Sequence, residues 1–193
     1  MAKDEIKKVV VIGGSAGSLE KVLEMLPKLP VRAGFVYILV AHRRFHTGSS
    51  MEDLVRYRTK IKVVEVEDKE PILTNHIYIA PADYHLLVEK AGHFSLDNSE
   101  KIHYSRPSID VSFDSVAEVY GDKTLAILLS GANEDGAAGL QRVVALGGEA
   151  WIQDPATAEF PQMPLKAQQL VRKAEVMDIP SMIQKLLDLA QLS

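Results

Sequence analysis

The sequence predicts a three-layer α/β fold, with a mostly parallel central β-sheet, helices on both faces and an antiparallel β-hairpin as decoration. Short β-rich runs bounded by turn residues alternate with segments of helical period, the pattern of a parallel sheet covered by helices. Most of these runs are continuously apolar rather than alternating, as strands buried on both faces require. The composition, 47% hydrophobic and 25% charged, is that of a globular chain rather than a disordered or coiled-coil one.

The expected strands lie at residues 9–12, 35–40, 62–66, 77–80, 124–129 and 149–153. After the first strand, Leu19, Val22, Leu23 and Leu26 recur at i, i+3, i+4 and i+7, a helix that Pro27 and Pro30 bring to an end. Ser49 or Ser50 caps a helix over residues 51–58, and Ser108 caps one over 109–120. Leu140, Val143 and Val144 stripe a further helix stopped by Gly147-Gly148. The last helix, residues 181–192, carries Ile183, Leu186, Leu187 and Ala190 on one side and is expected to pack on the domain. Residues 85–89 and 94–96 flank Lys90-Ala-Gly-His93 as a hairpin, while Pro155, Pro161 and Pro164 mark a loop. No repeat or linker-like composition shift divides the chain, so residues 1–193 are expected to form a single domain.

Composition also narrows the function classes. With 22 Lys+Arg against 26 Asp+Glu the net charge is 22 − 26 = −4, which argues against a nucleic-acid clamp. The absence of cysteine excludes disulfides, thiolate metal sites and a Cys nucleophile. The longest apolar run, Phe35 to Ala41, is far shorter than the roughly 18 residues that cross a bilayer. The first residues lack the long apolar segment of a secretory signal, so a cytoplasmic location without membrane insertion is expected.

In an open parallel sheet, the loops leaving the carboxyl ends of the strands form the binding crevice. Ser15 lies in the strand-to-helix turn Gly13-Gly-Ser-Ala-Gly-Ser18, a Gly-x-Ser-x-Gly pattern whose glycines permit a sharp bend and leave a hydroxyl exposed. The following helix points free N–H groups at this turn, which favours an oxyanion or a phosphate. The plainer reading is a set of small residues that let strand and helix pack closely. His42 directly follows an apolar strand and emerges at the same sheet edge, where an activated serine needs a general base. A loop histidine that only packs is the competing view. Among the other histidines, His46 sits in the next loop, His76 precedes a strand and His93 falls in the hairpin turn, whereas His85 and His103 remain candidates for lining a site. Asp135 stands past a third strand at a helix start, where an ordinary N-cap is the simplest explanation. Glu134 and Asp154 are alternative acids for orienting the imidazole. A Ser-His-Asp triad is defined by geometry and not by chain order, so Ser15, His42 and Asp135 qualify as one.

These residues belong to a longer set of motifs: Ile12-Gly-Gly-Ser-Ala-Gly-Ser18, His42, Ile77-Tyr-Ile-Ala-Pro-Ala-Asp-Tyr-His85, Arg106-Pro-Ser-Ile-Asp110, Leu129-Ser-Gly-Ala-Asn-Glu-Asp-Gly-Ala-Ala-Gly139 and Gln153-Asp-Pro-Ala-Thr157 followed by Met163-Pro164. Over nearly its whole length the chain resembles the catalytic domain of the chemotaxis protein-glutamate methylesterases (CheB-type). The resemblance implies Ser15 as nucleophile, His42 as base and Asp135 as the third member. It further implies an oxyanion hole from the backbone amides of Ala16 and Ala132, with Gly14, Gly17, Arg43, Ser130, Gly131 and Asn133 lining the site, and no metal or organic cofactor. The reaction implied is hydrolysis of glutamate γ-methyl esters on the cytoplasmic helices of methyl-accepting chemoreceptors, with deamidation of receptor glutamine at the same site.

The sequence departs from the family pattern in places. Ala16 replaces the usual threonine, Ser18 a second glycine, Ala132 a methionine, and Arg43-Arg44 the usual Met-Pro. Arginines beside the base suit an acidic partner, or simply form a solvated loop. The family's N-terminal receiver domain is not expected in this chain, which makes a separate response-regulator receiver protein a candidate partner. Two rival readings stand beside the hydrolase: a docking module of the same fold without strong catalysis, and a phosphate- or nucleotide-binding domain built on Gly13 to Ser18. The latter lacks glycines where Ser15 and Ser18 stand.

Overall fold

The computed structural model describes residues 5–31, 33–42 and 51–192. Seven strands form one parallel sheet: β1 (Lys8–Gly14), β2 (Phe35–Ala41), β3 (Lys62–Glu65), β4 (His76–Ile79), β7 (Thr124–Leu128), β8 (Glu149–Gln153) and β9 (Glu175–Met177), in the spatial order β3-β4-β2-β1-β7-β8-β9. β5 (His85–Glu89) and β6 (His93–Asp97) pair separately as the expected antiparallel hairpin, except that His93, expected in the turn, is the first residue of β6 and pairs with Glu89.

Alternation along each strand divides the core into two layers. Val9, Val11, Val36, Ile38, Ala126 and Leu128 face one side, where α3 (Ile109–Tyr120), α4 (Ala137–Ala145), α5 (Gln162–Leu170) and the hairpin cover them. Val10, Ile12, Tyr37, Leu39, Leu125 and Ile127 face the other, against α1 (Ser18–Met25), α2 (Met51–Arg56) and α6 (Ile179–Leu192). Strands covered on both faces need apolar residues at every position, which is why they read as unbroken hydrophobic runs.

Three elements depart from the expectation. The proline-marked loop contains a helix, α5: Pro161 is its N-cap and Pro164 lies in its first turn, where backbone N–H groups have no intrahelical acceptor and a missing N–H is tolerated. β9 is a three-residue edge strand, partly exposed and too short to produce a hydrophobic run. The last helix starts at Ile179 rather than 181, with Pro180 in its first turn. Ser49 and Ser50, expected as helix caps, lie outside the described residues.

From β1 the chain turns to one side of the sheet to form β2, and β7 later adds on the other side. The strand order therefore reverses between β1 and β7, and the crevice beyond their carboxyl ends is where ligands settle in such sheets.

Candidate active site

The ends of β2, β1 and β7 stay joined past the sheet. His42 N–H donates to the Gly14 carbonyl (3.2 Å), and Ser15 N–H donates to the Ser130 carbonyl (2.9 Å). The chain then turns sharply into α1 through Gly17, whose φ of +75° is the left-handed conformation; a side chain there would also meet Glu159 and Ser130. Ser18 N–H (3.1 Å) and Ser18 Oγ (2.7 Å) both donate to the Ser15 carbonyl, so the turn is closed by the residue that stands in place of a glycine.

Asp135 is fully buried, and its carboxylate has a complete set of donors. Oδ1 accepts from Ser108 Oγ (2.9 Å) and the Asp110 N–H (3.0 Å); Oδ2 accepts from the Ile109 N–H (2.7 Å) and lies 2.7 Å from His42 Nε2. Two of these donors are the first free amides of α3, so the carboxylate sits at the positive end of that helix. Burial alone pushes the Asp135 carboxyl up, but the hydrogen bonds from His42, Asp110 and Ile109 outweigh it and hold its pKa below the ordinary range. The arrangement is reciprocal. Asp110, in the first turn of α3, places Oδ1 on the N–H groups of Gly136 (2.9 Å) and Gly139 (2.6 Å) at the start of α4. Each helix N-terminus is thus held by a carboxylate that belongs to the other. Burial, with the nearby Asp135 charge, pushes Asp110 up to about 6 despite those two amides.

An ionised carboxylate only accepts, so His42 Nε2 carries the hydrogen of that bond, and in the neutral ring Nδ1 keeps a lone pair. Nδ1 faces Ser105 Oγ at 3.3 Å. The His42 side chain is about one-tenth exposed. Among the described residues, Ser15 Oγ forms no hydrogen bond with either ring nitrogen, although Ser15 and His42 directly follow Gly14 and Ala41, which are register partners at the ends of β1 and β2.

The remaining expected residues fall around this centre. Ser130 is buried and structural: its Oγ donates to the Ala16 carbonyl (2.7 Å) and accepts from the Phe160 N–H (2.9 Å), and its N–H donates to Gln153 Oε1 (2.9 Å). Gly131 is packed so closely by Met163 of α5 that a Cβ would lie 2.4 Å from Cε. Asn133 Oδ1 accepts from the Asp135 N–H (3.1 Å), closing the turn that presents the carboxylate. Among the described residues the Ala16 and Ala132 N–H groups donate no hydrogen bond, and both flank the crevice. Arg43, Arg44 and His46 lie outside the described residues.

Of the three acids weighed from sequence, Asp135 is the one on His42. Glu134 points outward to Lys166 (3.3 Å), and Asp154 accepts from the Ala156 N–H (2.9 Å) as a local cap. His85 does not line the site. It is buried, with Nδ1 accepting from the Ser108 N–H (3.1 Å) and Nε2 donating to the Glu100 carbonyl (3.0 Å), which fixes the ring orientation behind the α3 cap. His103 does lie beside the site, in an open groove with Tyr104, Asn133, Glu134, Gln162 and Lys166. Sequence reasoning gave no role to Ser105, Ser108 or Asp110 at the imidazole and carboxylate, although the Arg106-Pro-Ser-Ile-Asp110 motif holds two of them and was the signal that could have found them.

Fold and site together define a parallel α/β protein equipped for general-base chemistry, with a carboxylate-anchored imidazole at the topological switch point. The comparisons give it a family. Residues 10–186 match CheB methylesterase, and the chain belongs to that family. It is 41% identical over 160 residues to a Leptospira interrogans protein-glutamate methylesterase/protein-glutamine glutaminase, covering 83% of each chain. It is 31% identical to the Hydrogenovibrio crunogenus protein of the same name across 94% of this chain, and spans about half (49%) of that longer relative. The crystal structure of the Thermotoga maritima CheB methylesterase catalytic domain superposes with a TM-score of 0.87 at 31% identity, covering 94% of this chain and 98% of that one. No helix among the described residues is long and apolar enough to cross a membrane.

Proposed function

We propose that the chain hydrolyses glutamate γ-methyl esters on the cytoplasmic helices of chemoreceptors, releasing methanol, with Ser15 as nucleophile, His42 as base and Asp135 as its anchor. The observation that carries this reading is the 2.7 Å contact between His42 Nε2 and a fully buried carboxylate, in a chain of the CheB methylesterase family. Because that contact occupies Nε2, the proton from Ser15 goes to Nδ1. Ser15 Oγ attacks the ester carbonyl, and the Ala16 and Ala132 amides, which have no other acceptor among the described residues, receive the oxyanion. Collapse of the tetrahedral intermediate breaks the C–O bond to the methoxy group, which leaves as methanol with the proton from Nδ1. Water then attacks the acyl-enzyme with His42 again as base, returning the glutamate carboxylate and the Ser15 hydroxyl. Asp135 holds the tautomer and stabilises the imidazolium without itself taking a proton. The same steps applied to a side-chain amide release ammonia, so deamidation of receptor glutamine is a second expected reaction.

The test is methanol release from a methylated receptor fragment. Wild type should turn the ester over and Ser15→Ala should not, with circular dichroism of the two proteins identical. Substantial turnover by purified Ser15→Ala would overturn the assignment.

A further inference from the structure

The proposed mechanism leaves one side chain at the centre of the site without a part. Ser105 Oγ lies 3.3 Å from His42 Nδ1, the nitrogen on which the Ser15 proton must land, while Ser15 itself forms no bond to the ring. The same hydroxyl has a second acceptor, the His103 carbonyl at 3.4 Å. One O–H donates to one of these acceptors at a time, and at such distances neither bond is strong.

The segment that presents Ser105 is a tight two-residue turn. Ile102 and Ser105 exchange both backbone hydrogen bonds (3.2 and 2.9 Å), and the two residues between them, His103 and Tyr104, have φ of +48° and +61°. Neither is a glycine, so the turn holds two side chains in a conformation that L-residues adopt at a cost. Its tip reaches into solvent: Tyr104 is 98% exposed. His103 and Tyr104 also form one wall of the groove lined by Asn133, Glu134, Gln162 and Lys166. Whatever enters that groove meets the turn that carries the hydroxyl.

Resting on the hydrolase reading above, we propose that Ser105 is a positioning residue that keeps the site at rest: its hydroxyl occupies Nδ1 of His42 and turns to the His103 carbonyl when substrate fills the groove, freeing the base for Ser15. The motion needed is the reorientation of one hydroxyl on an exposed turn, since Oγ already lies within reach of both acceptors. A neutral hydrogen bond of this kind is a modest one, so the restraint is leaky rather than absolute.

The consequence is an inverted mutational effect. Fluorophosphonate probes carry none of the receptor and do not fill the groove, so in wild type they must compete with Ser105 for the base. Ser105→Ala should label on Ser15 about two- to tenfold faster than wild type, Ser105→Gly should match it, and Ser105→Thr, which keeps the hydroxyl, should label at the wild-type rate. With a methylated receptor fragment, the energy of displacing the latch is spent on binding, so the gain in Ser105→Ala should appear in KM rather than in kcat. A structural disturbance of the turn would raise KM or lower kcat instead. Labelling of Ser15 in wild type with an equal or lower rate in both Ser105→Ala and Ser105→Gly overturns this proposal alone. Labelling on Ser105 itself overturns it too, and no labelling of Ser15 in any of the proteins defeats the hydrolase reading on which it rests.

Discussion

The two sides of the His42 ring are built to different standards. On the Nε2 side, Asp135 is fully buried, accepts four donors and sits at a helix N-terminus, and its own backbone N–H is held by Asn133 Oδ1. On the Nδ1 side there is one 3.3 Å contact from a half-buried serine on an exposed turn, and a second serine, Ser15, that has not engaged the ring. Orientation and tautomer must be correct before substrate arrives, so the acid side is over-determined. In the proposed mechanism the Ser15 side must change partners during turnover, and a rigid network there would oppose it.

This asymmetry is open to attack. The largest loss should come from His42→Ala, about 10³-fold or more in ester turnover with the fold retained, because in the proposed mechanism His42 is the base in both halves of the reaction. Steady-state methanol release would measure it, and a loss below tenfold would mean that another group takes the Ser15 proton. Asp135→Asn should follow, at about 10²–10⁴-fold in turnover, and it should destabilise the chain by about 1–3 kcal/mol, more than His42→Ala, which removes a single donor, since an amide cannot accept from all four. Urea denaturation separates the two variants; equal stability would mean that the acid side is less tightly built than its hydrogen bonds indicate.

Smaller effects probe the support behind the carboxylate. Ser108→Ala removes a donor to Asp135 and the acceptor of the Val111 N–H (3.4 Å), so a stability loss of about 1–2 kcal/mol is expected, with turnover falling less than in Asp135→Asn. The smallest effect is one of pH. Asp110 has its pKa raised to about 6 in the folded protein, so the folded state holds that proton more tightly than the unfolded chain does. Its contribution to stability is fully present below the unfolded carboxylate value and is lost as pH rises through about 6. Relative to Asp110→Asn, wild type should therefore lose stability between about pH 4 and pH 6, as thermal unfolding across that interval would report. A difference that stayed flat would show that Asp110 titrates as an ordinary carboxylate.

Much of the fold was legible because strands buried on both faces have to be apolar throughout, and residues 35–40 or 124–129 permit few other readings. Helix α5 was not, since Pro161 and Pro164 look like loop punctuation unless both are known to sit where a helix has no use for an N–H. At the site, His42 and Asp135 followed from one rule about strand ends. Ser105 did not, because it sits on a turn between the hairpin and α3 and reaches the imidazole from a part of the chain that the rule does not cover. Asp110 was hidden differently: an acidic residue in the first turn of a helix is ordinary, and nothing in the sequence says that its partner amides belong to the neighbouring helix.

That exchange of carboxylates has a kinetic signature. If the start of α3 frays, Asp135 loses two donors, and if the start of α4 frays, Asp110 loses both of its own. The amide protons of Ile109, Asp110, Gly136 and Gly139, distant in sequence, should therefore trade with deuterated solvent through one shared opening and at one free energy, making the two helix starts a single cooperative unit of local unfolding.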